Sequence, residues 1–319
     1  MIKVLLYGFL TAILLLSPFV GTMTIHPAEI VDSMTLSHKI FFELRLPRVL
    51  LGFFAGMTLA LSGLLFQNIF RNILMTPYTL GVSSGAVLGA GIAIKLGIST
   101  VSFGLAAISL FGFFGALLTV VLLLWLSRYL KTHAHESMLL LGIALSFFYT
   151  AALMLLFYIS DAHESQTILR FTMGSLSTIG YLPTLLVGSA ALLLLLVVYL
   201  KRFELQLLST NRDSAQTKGV AVGFLIPFLL IISSLAVGML VSITGPIGFV
   251  GLVVPHIVRL IYAKSVGALI VPTALLGGLF LVAADLLSRT LVSGVDIPIS
   301  IITAFAGGPF FIYLILRGR

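Results

Sequence analysis

Apolar runs long enough to cross a bilayer follow one another almost from end to end of this chain, separated by short polar turns. A membrane-spanning helix needs roughly 20 mostly apolar residues, so the pattern predicts about ten of them. The expected spans are 4–23, 47–69, 79–96, 103–127, 137–159, 181–200, 220–242, a short 249–263, 267–287 and 298–316. No change of composition marks a separate soluble part, and residues 1–319 are read as one transmembrane domain of all-α class. Lys3 and the apolar run after it have the outline of a signal peptide. No small-x-small cleavage site precedes His26, however, so the run is read as a retained first helix.

Composition sharpens this reading. Hydrophobic residues make up 60% of the chain and charged residues 9%, more apolar surface than a soluble domain of 319 residues could cover. The net charge of +8 would suggest nucleic acid in a soluble protein, but here the basic residues sit singly in short loops and report topology instead. Lys3, Arg71, Arg128, Lys131, Lys201, Arg202, Arg212, Lys218, Arg259, Lys264, Arg317 and Arg319 fall on one side. Lys39, Arg45, Arg48, Lys95, Arg170 and Arg289 fall on the other. The richer side is expected to be cytoplasmic, with both termini on it. The chain has no cysteine, which excludes disulfides and thiolate metal sites.

Small residues recur at helix-packing spacing, as Gly52 and Gly56, then Gly81, Gly85 and Gly89, and are expected to let helix backbones approach closely. Gly245-Pro246-Ile247-Gly248 opens the short eighth span, Pro255 lies within it, and Gly307-Gly308-Pro309 is expected to break the tenth. Such interruptions at membrane depth either line a path or are plain kinks.

Chemistry-bearing groups are sparse. None of the seven lysines sits in a phosphate-binding Gly-x-x-x-x-Gly-Lys loop. Gly81-Val-Ser83-Ser84-Gly85 fits a hydrolase nucleophile pattern, but lacks the strand-turn-helix setting and the acid and His partners that the pattern needs. His133 and His135 are two ligands at most, too few for a metal, and read as a solvated loop. His256 reads as a residue satisfied by an interhelical hydrogen bond. Asp285 stands one turn before Arg289 and is expected to pair with it. Neither a catalytic residue, a metal nor a cofactor is implied. Residues 201–219 form the longest inner polar segment, with Leu205, Leu207 and Leu208 giving it an apolar side suited to docking a partner. Arg45 and Arg48 stand at the outer mouth of the second span, where they can reach lipid headgroups or the carboxylates of a docking protein.

Arg45–Asn72, Thr79–Gly85, Gly174-Ser175-Leu176, Gly245–Arg259, Asp285 with Arg289, Asp296-Ile297-Pro298 and Thr303–Phe311 occur in an order that resembles the FecCD or BtuC-like family. These are permease subunits of ABC importers for iron-siderophores, haem and cobalamin. The resemblance spans nearly the whole chain. It implies a ten-helix type II importer permease in a bacterial cytoplasmic (inner) membrane, paired with a second permease subunit, either this same chain or a sister. Two ATP-binding subunits sit beneath the pair, and a substrate-binding protein docks outside. It also implies that the solute is a ferric siderophore or similar iron chelate, with haem or cobalamin as alternatives, and nucleic acid is not a partner. An ion-coupled secondary carrier is the rival that the residues alone leave open. By the same resemblance, Arg45, Arg48 and Arg289 meet acidic residues of the binding protein. Arg212, Asp213, Ser214, Ala215, Gly219 and Val220 form the segment that couples to the ATPase, Asn72 and Leu74 border the cytoplasmic gate, and Gly174-Ser175-Leu176 falls in a short outer helix. The chain departs from the family's usual pattern at Ile73, Phe171, Asn211, Asp296 and Ser300.

Overall fold

The computed structural model describes residues 2–21, 23, 29–32, 34–98, 101–102, 105–129, 134–262, 265–292 and 294–316. Fourteen α-helices account for nearly all of it: α1 Ile2–Leu16, α2 Leu36–Lys39, α3 Leu46–Phe70, α4 Val82–Lys95, α5 Ala107–Ser127, α6 Ala134–Ile159, α7 Ala162–Thr172, α8 Leu182–Leu200, α9 Arg202–Thr210, α10 Arg212–Thr217, α11 Val222–Thr244, α12 Val250–Tyr262, α13 Val266–Thr290 and α14 Ile299–Leu316. Val101–Ser102 and Leu105–Ala106 form a small antiparallel pairing before α5. Among the described residues, six helices are long and apolar enough to cross a membrane and four more are shorter and apolar. The fold is therefore the expected all-α, multi-pass one, with about ten apolar helices.

The bundle is built around α3, which is buried almost all round. A helix apolar on every face belongs inside a bundle rather than at its surface. Its glycines set the crossings. A Cβ on Gly56 would lie 2.1 Å from Gly277 O of α13, and one on Gly63 only 1.9 Å from Gly251 O of α12. A second core joins α4, α5 and α11 through Val82, Ala86, Ala116, Val120, Val237 and Val241. There Gly85 lies so close to α5 that a Cβ would meet Thr119 Oγ1 at 2.0 Å. Of the predicted packing glycines, Gly56, Gly85 and Gly89 make backbone-close crossings. Gly52 instead faces the side chain of Leu176, and Gly81 serves as a left-handed N-cap, with φ of 80°.

Several boundaries move, for local reasons. The first span ends at Leu16 rather than 23, because Pro18 closes the helix into a 3-10 turn over Ser17–Phe19. The second begins earlier. Helix α2 runs through a π-helical stretch, Ile40–Arg45, straight into α3. Pro47 explains the wide turn, since it can donate nothing to the carbonyl four residues back. That carbonyl, Glu43 O, is turned outward and accepts the Gly180 N–H at 3.0 Å. The short outer helix is α7, not Gly174-Ser175-Leu176, which follows it as non-helical chain. Asp161 and Glu164 close a reciprocal capping box at the start of α7. Gly307-Gly308-Pro309 does not break α14, which runs through all three.

The two shortest of these apolar helices fall well short of a full crossing. At 1.5 Å per residue, α4 and α12 extend about 20 Å, against a hydrocarbon core of about 30 Å. Non-helical chain completes each crossing, residues 71–81 before α4 and 245–249 before α12.

Candidate functional site

Three regions of polar side chains stand out among the described residues of this apolar bundle. At one end, Arg45 from the π-helical stretch, Arg48 from the first turn of α3, Asp285 and Arg289 from α13, and Asp296 from the connection to α14 form one cluster. Arg48 lies 2.9 Å from Asp285 Oδ1 and 2.6 Å from Asp296 Oδ2, and Arg289 Nε lies 3.0 Å from Asp285 Oδ2. Arg289 also donates to Ser17 Oγ at 2.7 Å and to Val20 O at 3.0 Å. Arg45 donates to Phe19 O at 3.0 Å, to Pro18 O at 3.3 Å and to Met23 O. Buried charges persist only where partners and hydrogen bonds replace water. Asp285, 1% exposed, is held between two guanidinium groups; Arg45, 7% exposed, has neutral carbonyl oxygens instead of a carboxylate. The cluster borders a cavity of about 630 Å3 lined by Arg45, Arg48, Arg289 and Asp296.

The structure thus brings the three predicted docking arginines together, and it adds a role. Arg45 and Arg289 point inward and hold the chain that leaves α1. The i,i+4 spacing signalled the Asp285–Arg289 contact. Nothing in the sequence signalled that Arg48, 237 positions away, shares the same carboxylate.

At the opposite end, α9 and α10 form an elbow beneath the bundle. Asn68 Nδ2 donates to Leu205 O at 3.3 Å and Arg71 donates to Leu208 O at 3.1 Å, tying α9 to the end of α3. Asn211 caps α10 by accepting from Asp213 N at 3.1 Å. Ala215 is fully buried, while Asp213, Ser214 and Gly219 are exposed and Val220 half-buried. Val220 N donates to Ala215 O at 3.0 Å, which turns the chain back into α11. Arg212 begins α10, but its side chain lies outside the described residues. Asn72 and Leu74 lie just beyond α3; Asn72 Oδ1 accepts from Leu74 N at 2.9 Å, and Leu74 is exposed.

Between the two ends, the non-helical segments that lead into α4 and α12 meet. Ile247 N donates to Tyr78 Oη at 2.7 Å. Ser175 N donates to Thr244 O at 2.7 Å, and Ser300 Oγ donates to Pro246 O. Phe249 adopts a left-handed φ of 66°, and its ring fills the space left by the missing side chain of Gly307. Sequence reading missed Tyr78; a hydroxyl beside a proline in a loop carries no signal of its partner. Ser83 and Ser84 line a cavity here with Val87, Tyr149, Thr150, Leu153, Thr172 and Pro246, a lining that holds neither acid nor histidine for a nucleophile. His256 departs from its expected interhelical hydrogen bond: its ring packs edge-on against Phe310 at 6.1 Å, and Nε2 has no hydrogen-bond partner. His133, like the side chain of His135, lies outside the described residues. No group of three or more His, Asp or Glu able to hold a metal occurs among the described residues.

Comparison with known proteins yields consistent likenesses. The sequence profile of the FecCD transport family matches residues 9–317. A Helicobacter pylori protein named probable iron chelatin transport system permease protein is 34% identical, over 88% of this chain and 83% of its own length. The hemin transport system permease protein HmuU of Yersinia pestis is 38% identical, over 88% and 84%. A solved structure of a metal-chelate type ABC transporter in an inward-facing conformation superposes with a TM-score of 0.84 at 30% identity, covering 98% of this chain and 99% of that one.

Proposed function

The chain belongs to the FecCD transport family, as a multi-pass permease subunit of an ABC importer and not an enzyme, and from that premise we propose that its solute is a ferric siderophore or similar iron chelate. A substrate-binding protein delivers the solute on one side, and two ATP-binding subunits drive the change of access from the other. Membership replaces the ion-coupled carrier that the residues alone left open. The observation that carries the proposal is the placement of the two polar regions at opposite ends of one bundle. The arginine-lined mouth, around Arg45, Arg48 and Arg289, is matched at the far end by the elbow of α9 and α10.

On this reading the arginine mouth faces outward and meets carboxylates of the binding protein, Arg48 first, since it is the least committed to holding backbone. The exposed groups of α10, Asp213 and Ser214, with Arg212 at its start, then meet the ATPase, and Ala215, Gly219 and Val220 shape that surface. Asn72 and Leu74 border the inner gate. Twelve of the eighteen basic residues then lie on the cytoplasmic face of a bacterial inner membrane, with both termini there. A second permease subunit, this chain or a sister, completes the pathway. Haem is the second reading, favoured by the identity to the hemin permease.

Co-purification of the tagged chain from its native membrane tests the assembly. An ATP-binding subunit in equal amount is expected, together with ATP-dependent uptake of radioactive ferric chelate into vesicles. A chain that purifies alone, and whose uptake collapses with an uncoupler but ignores ATP, overturns the proposal.

A further inference from the structure

A cavity of about 230 Å3 lies between α4, α6 and the end of α7, with Pro246 in its wall. Five hydroxyl-bearing residues line it, Ser83, Ser84, Tyr149, Thr150 and Thr172, with Val87 and Leu153, and no charged side chain does. The hydroxyls differ in how far the protein uses them. Tyr149 Oη and Thr119 Oγ1 share a hydrogen bond of 3.0 Å. Thr150 donates to Ser146 O at 2.8 Å and Thr172 to Leu169 O at 2.7 Å, so each keeps lone pairs free to accept. Ser84 Oγ has no hydrogen-bond partner among the described residues, so both its donor and its acceptors are free.

Polar groups at membrane depth are costly unless something satisfies them. A wall of neutral hydroxyls satisfies an uncharged, hydrogen-bonding surface, and it offers a bare charge no counter-ion. The cavity also sits on the junction described above. Pro246 lines it, while the next residues, Ile247 and Gly248, line a second cavity of about 160 Å3 together with Tyr78. Ile247 and Tyr78, both in the wall of that second cavity, are joined by the hydrogen bond of 2.7 Å.

We propose that this cavity is a solute-contact site, where Ser84, Thr150 and Thr172 hydrogen-bond the uncharged periphery of the transported chelate and select against chelates of high net charge. The inference rests on the transport reading and names the substrate class within it: ligands that surround the metal with hydroxamate, amide or hydroxyl groups. The cavity is too small for a whole chelate and takes one edge of it.

The absence of native cysteine makes the test direct. Single Ser84→Cys and Thr150→Cys chains, in membrane vesicles, are treated with a small water-soluble thiosulfonate, with Ser233→Cys, fully buried on α11, as reference. Both cavity cysteines are expected to react at least tenfold faster than the reference. A neutral ferric trihydroxamate is expected to slow them severalfold, and an anionic ferric tris-catecholate is expected not to. Rates equal to the reference overturn the site. Protection by both chelates alike, or by neither, overturns the selectivity. ATP-driven uptake by the unmodified complex is measured in parallel, so failure of the transport reading shows there and not in the labelling.

Discussion

Ile247 donates its backbone N–H to the hydroxyl oxygen of Tyr78 at 2.7 Å, and that one bond joins the entrances of two helices that each stop short of a full crossing. Without it, Ile247 N–H would be an unpaired donor at membrane depth, where water is scarce. Tyr78→Phe keeps the ring and removes the oxygen. It is expected to cost about 1–3 kcal/mol, the range for leaving a buried donor unsatisfied. It is also expected to let small solutes leak through vesicles holding the chain. Unchanged melting and unchanged leak would show that the bond is incidental.

Asp285 carries more weight than its expected helix partner alone implies. It faces Arg48 and Arg289 together and is 1% exposed. Removing one partner of a buried charge group leaves the others uncompensated, at about 3–5 kcal/mol. Asp285→Asn is therefore expected to destabilise the detergent-solubilised chain strongly. Asp296→Asn, whose carboxylate is 41% exposed, is expected to cost under about 1 kcal/mol. Thermal unfolding of the two variants side by side checks the order; equal losses would contradict the geometry.

The approximate places of the spans, their number and the crossings at Gly56 and Gly85 were legible because apolar length and small-residue spacing act locally along a helix. The arginine cluster was legible only in part. Arg289 announces Asp285 by sitting one turn away, but Arg48 joins them only once α3 crosses α13. The π-helical entry to α3 and the Tyr78–Ile247 bond left no local signature either. The first follows from where Pro47 lands relative to a neighbouring chain, and the second depends on two loops far apart in sequence.

The ion pair between Lys95 Nζ and Glu164 Oε2, 2.7 Å apart, ties the end of α4 to α7. The hydrogen bond from Lys95 foremost, and then the Asp161 N–H, hold the Glu164 carboxyl below its ordinary range. A carboxylate whose pKa is lowered on folding contributes stability above its unfolded pKa, and that contribution is lost as pH falls through the folded value. Wild type and Glu164→Gln are thus expected to differ in protease protection of α7 at neutral pH and to converge in acid. A difference that persists at low pH would assign the protection to packing instead.

Gly63 offers a steric test of the core. A Cβ there meets Gly251 O at 1.9 Å, backbone against backbone, so α3 and α12 would have to part. Gly63→Ala is expected to destabilise by several kcal/mol, beyond the 1–3 kcal/mol typical of overpacking. Gly308→Ala, where nothing lies within 4 Å, is expected to be neutral or slightly stabilising as a helix substitution. Similar losses at both positions would mean that α3 and α12 do not cross as closely as described.

Asn211 tests the proposed coupling elbow through the cap it places on α10. Its side chain accepts from Asp213 N at 3.1 Å and starts α10, a helix too short to form without help. An Asn-to-Ala change at an N-cap costs about 1 kcal/mol, whereas Asn to Gly costs only a few tenths. Asn211→Ala is therefore expected to fray α10 and weaken binding of the ATP-binding subunit by roughly fivefold, at 1.4 kcal/mol per tenfold. Asn211→Gly is expected to bind nearly as wild type, and both should leave the melting of the transmembrane bundle in place. Were Ala and Gly to behave alike, the cap would have no part in coupling. Were Ala to lower the melting of the whole bundle, the elbow would be a structural brace and not a contact surface.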